Sequence, residues 1–214
     1  MVIIESPYKR AAIILVLKKQ EIRTGQYVIM DQKTDAEVVA EVLKGDRQAY
    51  AKIIDAYKTP VFNLAFRMTG RHEDADDLTQ ETFIRAYQKL HQFDREKKFF
   101  TWLYTIGINL IRNHLRKNKR NDFDRAADCI IPESPIQEYD GREGDLLSTD
   151  RMKKLEENMQ KLPVDMREAI ILKYQQDLTF EEISAITGDS VSTVKMRVYR
   201  GLERLKQMMG VRQF

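Results

Sequence analysis

The sequence predicts an all-α protein that consists of two small helical domains joined by a flexible linker. The chain of 214 residues contains nine glycines and five prolines, fewer chain breakers than the average shares of about 7% and 5% would give. Apolar residues recur at three- and four-residue spacing along most of its length, and no β-hairpin signal separates them. The predicted boundaries are an N-terminal extension over residues 1–29, a first domain over 30–120, an acidic linker over 121–149 and a second domain over 150–214.

Composition also argues against several kinds of site. The only cysteine, Cys129, cannot form an internal disulfide and fits a reducing compartment such as the cytoplasm. The three histidines share no ligand spacing with it or with each other, so we expect no metal centre. Because the sequence contains no Walker A loop, Rossmann glycine fingerprint or nucleophile elbow, we expect neither a cofactor nor catalytic residues.

The N-terminal extension joins none of the helical patterns. Its apolar run, Ala11–Leu17, is far shorter than the roughly 20 residues that a membrane span needs. A secretory signal would place small residues after that run, but Lys18 and Lys19 follow it. We expect either that Met30 is the true initiator or that the extension is loosely attached, and we expect no membrane insertion.

The first domain begins with two helices whose ends are marked by polar residues and glycine. Thr34 and Glu37 have the spacing of a capping box, and Gly45 suits the left-handed position after a helix. Asp46 can cap the second helix, which Pro60 should kink or split. The second helix should end at Gly70.

Two further helices complete the four-helix first domain. The third runs from His72 to about Leu90, and its apolar side is formed by Ala75, Leu78, Phe83, Ala86, Tyr87 and Leu90. After a basic loop, the fourth runs from Phe99 to about Lys119, with Phe99, Leu103, Ile106 and Leu110 facing inward. Short connections between the four helices favour a compact bundle.

The segment from Asn121 to Thr149 differs in composition from both domains. It contains prolines and glycines, lacks helical periodicity, and carries eight acidic residues against two arginines. These features are typical of a flexible linker.

The second domain has the pattern of a helix-turn-helix. A first helix ends at Pro163, and another runs from about Val164 to Gln176. Thr179 and Glu182 form a second capping box at the start of a short helix that ends at Gly188. Asp189 or Ser190 caps the last helix, whose core stripe comprises Val191, Val194, Val198, Leu202 and Leu205. A short helix, a tight turn and a longer helix are typical of a DNA-binding helix-turn-helix.

Charge is distributed unevenly along the chain. Residues 72–81 carry five acidic side chains and no lysine or arginine, whereas residues 95–120 carry eight basic side chains against Glu96. The last helix carries five basic side chains against Glu203. A single basic run is often only a solvated helix face, but two of them, one on a helix-turn-helix, favour two contacts with one polyanion.

Each basic helix presents a polar surface opposite its core. On the fourth helix this stripe comprises Thr101, Thr105, Asn109, Arg112 and Arg116. Trp102 and Tyr104 beside it either stack on unpaired bases or belong to the core. On the last helix the outward side chains are Ser192, Lys195, Met196, Tyr199, Arg200 and Glu203. Thr179 can cap its helix, hold a phosphate, or do both.

These features together resemble a bacterial RNA polymerase sigma factor of the small, two-domain extracytoplasmic-function (ECF) group of the sigma-70 family, over about Asp31–Met209. The most specific stretch is Asp74–Tyr87 (DADDLTQETFIRAY), which is similar to the family's core-polymerase-binding helix. Phe99–Asn109 (FFTWLYTIGIN) is similar to the segment that binds the −10 element. Leu178–Ile186 and Thr193–Arg200 are similar to parts of the −35 domain.

The resemblance implies three sets of binding residues. Those expected to contact polymerase are Asp77, Gln80, Glu81, Phe83 and Arg85. Those expected to contact the −10 element are Lys97, Lys98, Thr101, Trp102, Tyr104, Asn109, Arg112, Asn113 and Arg116. Those expected to contact the −35 element are Thr179, Ser192, Thr193, Lys195, Met196, Arg197, Tyr199 and Arg200.

The resemblance also implies the partners. These are core RNA polymerase, through the β′ clamp helices and the β flap, promoter DNA in duplex and single-stranded form, and an anti-sigma factor. In the family the loop His91–Lys98 forms a pocket for a flipped base, and the linker runs toward the RNA exit channel. Met196 and Gly201 depart from the residues common in the family, which leaves the −35 sequence preference open.

Two other functions are compatible with parts of the sequence. A stand-alone helix-turn-helix regulator would explain Thr179–Lys206 but would give Asp74–Tyr87 and Thr101–Arg116 no role. A nucleic-acid enzyme would use Asp74, Asp76 and Asp77 to bind Mg²⁺, but carboxylates at these spacings on one helix do not all converge.

Overall fold

The computed structural model describes the backbone of residues 32–124 and 153–210. The N-terminal extension, Cys129 and nearly all of the predicted linker lie outside the described residues. The chain divides into two compact units, one built mainly on the helices before residue 124 and the other on the helices after residue 153. Helices are the only regular elements among the described residues.

The N-terminal unit contains four α-helices and one 3-10 turn. They are α1 (Gln32–Leu43), α2 (Ala49–Thr69), α3 (His72–Lys89), the 3-10 turn (Leu90–Gln92) and α4 (Phe99–Asp124). The central helix is α2, which packs against α1, α3 and α4. Fully buried side chains from α2 and α4 fill the core, among them Ile53, Tyr57, Leu64, Met68, Leu103 and Ile108.

Glycines follow α1 and α2, and an aspartate caps the start of α2, at the positions that the sequence predicts. Gly45 and Gly70 have φ angles of 110° and 75°, a left-handed conformation that favours glycine. The Gly70 N–H donates to the Phe66 carbonyl at 2.7 Å and closes α2. Asp46 Oδ1 accepts hydrogen bonds from the N–H groups of Gln48 and Ala49, at 3.0 and 3.2 Å, so Asp46 caps the start of α2.

Two predicted helix ends of the N-terminal unit are wrong, and one predicted break is absent. Helix α1 begins at Gln32, so Thr34 lies inside its first turn and does not precede it; no glycine or proline stops the helix from starting earlier. Helix α2 is not split at buried Pro60, because the proline removes only one backbone donor from a helix that is packed on several sides, and the kink stays a prediction. Helix α4 extends to Asp124 and takes in the first residues of the predicted linker, where no chain breaker occurs.

The C-terminal unit contains helical residues 153–160 (α5), α6 (Val164–Tyr174), α7 (Phe180–Thr187) and α8 (Val191–Met208). The predicted capping box is present: the Thr179 N–H donates to Glu182 Oε2 at 2.9 Å, and the Glu182 N–H donates to Thr179 Oγ1 at 3.2 Å. Ser190, rather than Asp189, caps α8 through a 3.2 Å hydrogen bond from the Thr193 N–H. The short turn between α7 and α8 completes the predicted helix-turn-helix.

Helices α6 and α8 approach each other closely at Gly201. A Cβ atom at this position would lie 2.7 Å from Ile170 Cδ1 and 3.3 Å from Met166 Cβ. Gly201 is buried, so it belongs to the packing between α6 and α8 and not to the exposed surface of α8. This departure from the family pattern therefore has a packing explanation.

Candidate nucleic-acid interface

Helix α8 is buried along one side and exposed along the other. Its buried side chains are Val194, Val198, Leu202 and Leu205. On the opposite side Lys195 and Arg200 are exposed, and Met196 and Tyr199 keep 41% and 49% of their surface accessible. Two cations, a flexible thioether and an aromatic hydroxyl therefore point outward near the capped N-terminal half of the helix. This arrangement matches a recognition helix that enters a major groove.

Arg197 has a different environment from its neighbours on α8. Its Nε lies 3.2 Å from Asp165 Oδ2 at the start of α6, and its Nη1 donates to Asp189 Oδ2 in the turn before α8. Only 21% of its side chain is exposed. The structure therefore places Arg197 within the C-terminal unit, where it joins α8 to α6 and to the turn. Both ends of its guanidinium are engaged by carboxylates, which distinguishes Arg197 from the outward side chains of α8, and its role as a −35 contact stays a prediction.

The hydroxyl groups at the start of α8 and α7 are engaged in capping. Ser190 Oγ lies 3.0 Å from Ser192 Oγ and 2.9 Å from Thr193 Oγ1. Thr179 contributes both its N–H and its hydroxyl to Glu182 Oε2, the hydroxyl at 3.1 Å. Of the roles predicted for Thr179, the structure contains the helix cap. Ser192 remains exposed and Thr193 is half-buried.

Phe180 and Lys173 belong to this surface but were not predicted. The ammonium groups of Lys173 and Lys195 lie 5.1 and 5.4 Å from the centroid of the Phe180 ring. The sequence separates the two lysines by 22 positions, and no helical spacing relates them, so only the folded structure brings them to one ring. The only related prediction was for Thr179, the residue before Phe180, which was expected to cap its helix or hold a phosphate.

Helix α4 carries the predicted polar stripe on one side. Asn109 and Arg116 are exposed, as is the neighbouring Asn113, and the other members of the stripe, Thr101, Thr105 and Arg112, are half-buried. Arg116 Nη2 donates to Asn113 Oδ1 at 2.9 Å, and Thr105 Oγ1 donates to the Thr101 carbonyl at 2.8 Å. The stripe therefore combines amide, hydroxyl and guanidinium groups, which suits contacts with phosphates and with the edges of unpaired bases.

The aromatic residues at the start of α4 form a cluster with the preceding loop. Trp102 lies 5.3 Å from Phe93 and 5.5 Å from Phe99 between ring centroids, and Phe93 lies 5.2 Å from Phe99. Phe99 is fully buried, as expected for a core residue, whereas Trp102 is half-buried and keeps part of its ring at the surface. Tyr104 is only 3% exposed. We therefore correct its prediction as a base contact, because a ring enclosed by the core cannot stack on a base.

The two predicted lysines of the loop lie at the surface. Lys97 Nζ is 3.7 Å from Asp94 Oδ2, and Lys98 Nζ is 5.6 Å from the Phe100 ring centroid. Both remain exposed, and Trp102 follows Lys98 one helical turn later in the sequence. An exposed cation beside an aromatic ring is the combination that grips single strands.

Helix α3 presents a mixed acidic and apolar surface. Asp77 and Gln80 are exposed, and Glu81 Oε1 accepts from Arg85 Nε at 2.5 Å. Phe83 is only 6% exposed and belongs to the core, so its prediction as a polymerase contact is wrong. The prediction missed Ile84, which lies one residue further along the helix and is 52% exposed.

Tyr87 was expected on the apolar side of α3, but 41% of its surface is exposed. Its ring lies 5.0 Å from that of Tyr50 in an edge-on arrangement. The Tyr50 hydroxyl donates to the Phe83 carbonyl at 2.8 Å, and burial raises the pKa of Tyr50 above its ordinary value. Tyr50 therefore stays protonated, and its buried ring packs against the exposed ring of Tyr87.

The acidic residues at the start of α3 point to different partners. Asp74 Oδ2 lies 3.2 Å from His114 Nε2 on α4, whereas Asp76 Oδ2 lies 3.0 Å from His72 Nδ1 on α3 itself.

Within residues 32–124 and 153–210, no group of three histidine, cysteine or acidic side chains could hold a metal ion. In the same residues no helix is long and apolar enough to cross a membrane.

Comparison with known proteins decides the family. The model of Sigma-70 region 2 matches residues 53–121, and the model of Sigma-70 region 4 matches residues 152–205. The ECF RNA polymerase sigma factor SigW of Bacillus subtilis (strain 168) is 34% identical over 186 residues, which are 80% of this chain and 94% of that protein. The chain belongs to the ECF sigma factors. The ECF RNA polymerase sigma-E factor of Escherichia coli (strain K12) is 33% identical over 180 residues, 82% of this chain and 94% of that protein.

Solved structures support the same fold for this sigma factor. The sigma factor RpoE from Bartonella quintana, crystallised with the anti-sigma factor NepR, matches with a TM-score of 0.63 and 26% identity over 77% of this chain and 98% of that one. CnrH, in complex with the cytosolic domain of CnrY, matches with a TM-score of 0.61 and 23% identity over 84% and 99% of the two chains, and so supports the fold alone. The two-domain all-α prediction is confirmed, and the stand-alone regulator is not favoured.

Proposed function

We propose that this ECF sigma factor directs core RNA polymerase to promoters through three separate surfaces. Helix α8 reads the −35 element in duplex DNA, α4 with the loop before it holds the −10 element, and α3 docks on the polymerase. The observation that carries this proposal is α8, a capped helix whose exposed Lys195 and Arg200 point away from the core. The arginine suits the guanine edge in the major groove, and the lysine suits the phosphates beside it.

The proposed role of α4 is to hold strands that have already separated. The polar stripe on α4 and Lys97 and Lys98 supply donors and charge, and the partly exposed ring of Trp102 offers a surface for one base. Strand opening would then be driven by capture of unpaired bases, without nucleotide hydrolysis. In this mechanism the sigma factor supplies no catalytic residue, and polymerase performs all the chemistry.

The proposed polymerase surface is the exposed side of α3. Asp77, Gln80 and Glu81 supply acidic and amide groups, and Ile84 adds apolar area that replaces the contribution expected from Phe83. Arg85 pairs with Glu81 and orients its carboxylate. We expect this surface to meet the β′ clamp helices, and the C-terminal unit to meet the β flap.

Run-off transcription tests the proposal directly. Bacterial core polymerase freed of other sigma factors is mixed with random promoter DNA, with and without this protein, and the transcripts are sequenced. We expect transcripts that depend on the protein and share two sequence elements upstream of their starts. If no transcript depends on the protein while the protein alone binds duplex DNA tightly, the polymerase-dependent function is wrong.

A regulatory partner is a second part of the proposal. The solved sigma factor RpoE described above was crystallised with an anti-sigma factor. We infer that an anti-sigma factor covers the α3 and α8 surfaces of this protein when transcription is not required. Addition of a candidate partner to the run-off assay should abolish dependent transcripts, and unchanged transcription at saturating partner would exclude that candidate.

A further inference from the structure

Phe180, the first residue of α7, lies beside two lysine side chains that come from different helices. Lys173 Nζ of α6 and Lys195 Nζ of α8 lie 5.1 and 5.4 Å from its ring centroid. Both distances are within the range of about 6 Å for a cation–π interaction. Lys173 Nζ also donates a hydrogen bond to the Leu178 carbonyl at 2.8 Å. One aromatic ring therefore gathers two cations at the edge of the helix-turn-helix.

The backbone that carries this ring is fixed by the capping box. Thr179, the residue before Phe180, exchanges hydrogen bonds of 2.9 and 3.2 Å with Glu182. Ile183, one turn after Thr179, is fully buried and anchors α7 to the core of the unit. The Phe180 ring is half-buried, so its position is limited on one side by the protein while it remains accessible to the lysines on the other.

The arrangement has a clear electrostatic consequence. Two ammonium groups repel each other, and the negative face of an aromatic ring offsets part of this repulsion. A lysine side chain in water samples many rotamers, and ordering it at the moment of binding reduces affinity. Lysines that the ring already holds would bring two positive charges to an anion with less ordering.

We propose that Phe180 is a positioning residue for promoter recognition, which holds Lys173 and Lys195 ready for phosphates of the −35 duplex. The inference rests on the proposed function, since it takes the −35 duplex as the ligand of this unit. Lys195 is exposed on α8 one turn before the exposed Tyr199, so the lysine pair lies beside the outward side of the recognition helix. Phe180 acts through the lysines and does not contact DNA in this proposal.

Substitution of the ring tests the proposal in the complete holoenzyme. Core polymerase with the full-length wild type, Phe180→Leu or Phe180→Tyr binds its promoter at a series of salt concentrations. Each phosphate contact contributes about 0.9 to the slope of log K against log salt. We expect Phe180→Leu to bind about tenfold more weakly at low salt and to lose about 1–2 from that slope. Phe180→Tyr keeps the ring and should remain within about twofold of the wild type.

Fluorinated phenylalanine at position 180 provides a test that preserves the shape of the side chain. Fluorine withdraws charge from the ring face, so one, two and three fluorine atoms should weaken promoter binding in steps while the unfolding midpoint stays constant. Promoter affinity that does not change with fluorine number overturns the proposal, even if Phe180→Leu fails to fold. A wild-type salt slope in a folded Phe180→Leu variant overturns it as well.

A double-mutant cycle separates positioning from general stability. Lys195→Ala should reduce affinity clearly in the wild type and much less in Phe180→Leu, because the lysine is no longer held there. Additive losses would contradict the proposal. Wild-type holoenzyme measured in parallel distinguishes the two levels of failure: if it does not bind promoters, the proposed function fails, and if it binds while Phe180 has no effect, only this inference fails.

Discussion

The two basic helices α4 and α8 use their aromatic side chains in opposite ways. At the start of α4, Phe99 is fully buried and Tyr104 is nearly fully buried, and the ring of Trp102 contacts those of Phe93 and Phe99. On α8, Tyr199 is 49% exposed. The difference indicates that α4 is a core helix with a polar edge, whereas α8 is packed on one side and free to enter a groove. Similar charge on two helices therefore does not mean similar surfaces.

The largest expected effect is the loss of an aromatic side chain from α4. Phe99→Ala should destabilise the protein by about 3–5 kcal/mol, because it leaves a cavity beside the rings of Tyr57, Phe93 and Trp102 that pack on it. Tyr199→Ala on α8 is the matched control and should change the free energy of unfolding by no more than about 0.5 kcal/mol. Thermal unfolding followed by circular dichroism measures both. Equal destabilisation by the two variants would show that the aromatic residues of α4 and α8 have the same role.

The second prediction compares two arginines on α8. Arg200→Ala should reduce discrimination for the −35 element by about 1–3 kcal/mol and leave polymerase binding intact, because Arg200 is exposed beside Tyr199. Arg197→Ala should lower the free energy of unfolding by roughly 0.5–1.5 kcal/mol, because it removes the contacts with Asp165 and Asp189.

Competition binding with correct and altered −35 sequences measures the first effect, and urea unfolding measures the second. The comparison fails if Arg197→Ala changes base preference at one promoter position without any loss of stability. In that case Arg197 would leave its carboxylate partners when DNA binds, and its prediction as a −35 contact would be confirmed.

These two arginines also show how far sequence alone could reach. Helical spacing correctly placed Lys195, Met196, Tyr199 and Arg200 outward, because α8 packs on one side only and periodicity then determines exposure. Arg197 lies at the border of that side, where its contacts depend on Asp165 from another helix. Such contacts across elements leave no periodic signal.

The same limit explains the errors on α3 and α4. Phe83 and Ile84 are adjacent and both apolar, and a rotation of about 100° per residue decides which of them is buried. Tyr104 lies next to Leu103 near the centre of the bundle, where α4 is enclosed from several sides. The helices, caps and helix-turn-helix were predictable because glycine, aspartate and threonine act locally, within one turn.

The third prediction concerns the polymerase surface. Asp77→Ala together with Glu81→Ala should weaken binding to core polymerase by about tenfold, because two exposed carboxylates and the support of Arg85 are lost. DNA binding by the C-terminal unit should not change. Glu73→Ala removes one carboxylate, 88% exposed, from the same helix and serves as the control.

Fluorescence anisotropy with labelled sigma factor measures the affinity for core polymerase. A Glu73→Ala variant that loses as much affinity as the double variant would mean that overall acidity, and not the side of α3 that carries Asp77 and Glu81, directs docking. If the double variant instead lost promoter recognition with unchanged polymerase affinity, the assignment of α3 and α8 to separate partners would be wrong.

The smallest effects come from two glycines, one in α4 and one in α8. At Gly107 an added Cβ would lie 3.5 Å from the nearest atoms of Thr82, an ordinary contact. Gly107→Ala should therefore stabilise the protein by up to about 1 kcal/mol through its better helix propensity. At Gly201 the same change places Cβ 2.7 Å from Ile170 Cδ1, so the propensity gain is offset by the displacement of Ile170.

One more substitution measures the coupling free energy between Gly201 and its neighbour Ile170. Ile170→Val removes the atom nearest to the new Cβ and costs about 0.5–1.5 kcal/mol by itself. Together with Gly201→Ala it should cost less than the separate changes predict, since the smaller side chain makes room for the methyl group. The coupling measured by urea unfolding should be absent between Ile170→Val and Gly107→Ala. Full additivity at Gly201 would mean that α6 and α8 separate slightly to accept alanine, and that the close approach at Gly201 is not required for the position of the recognition helix.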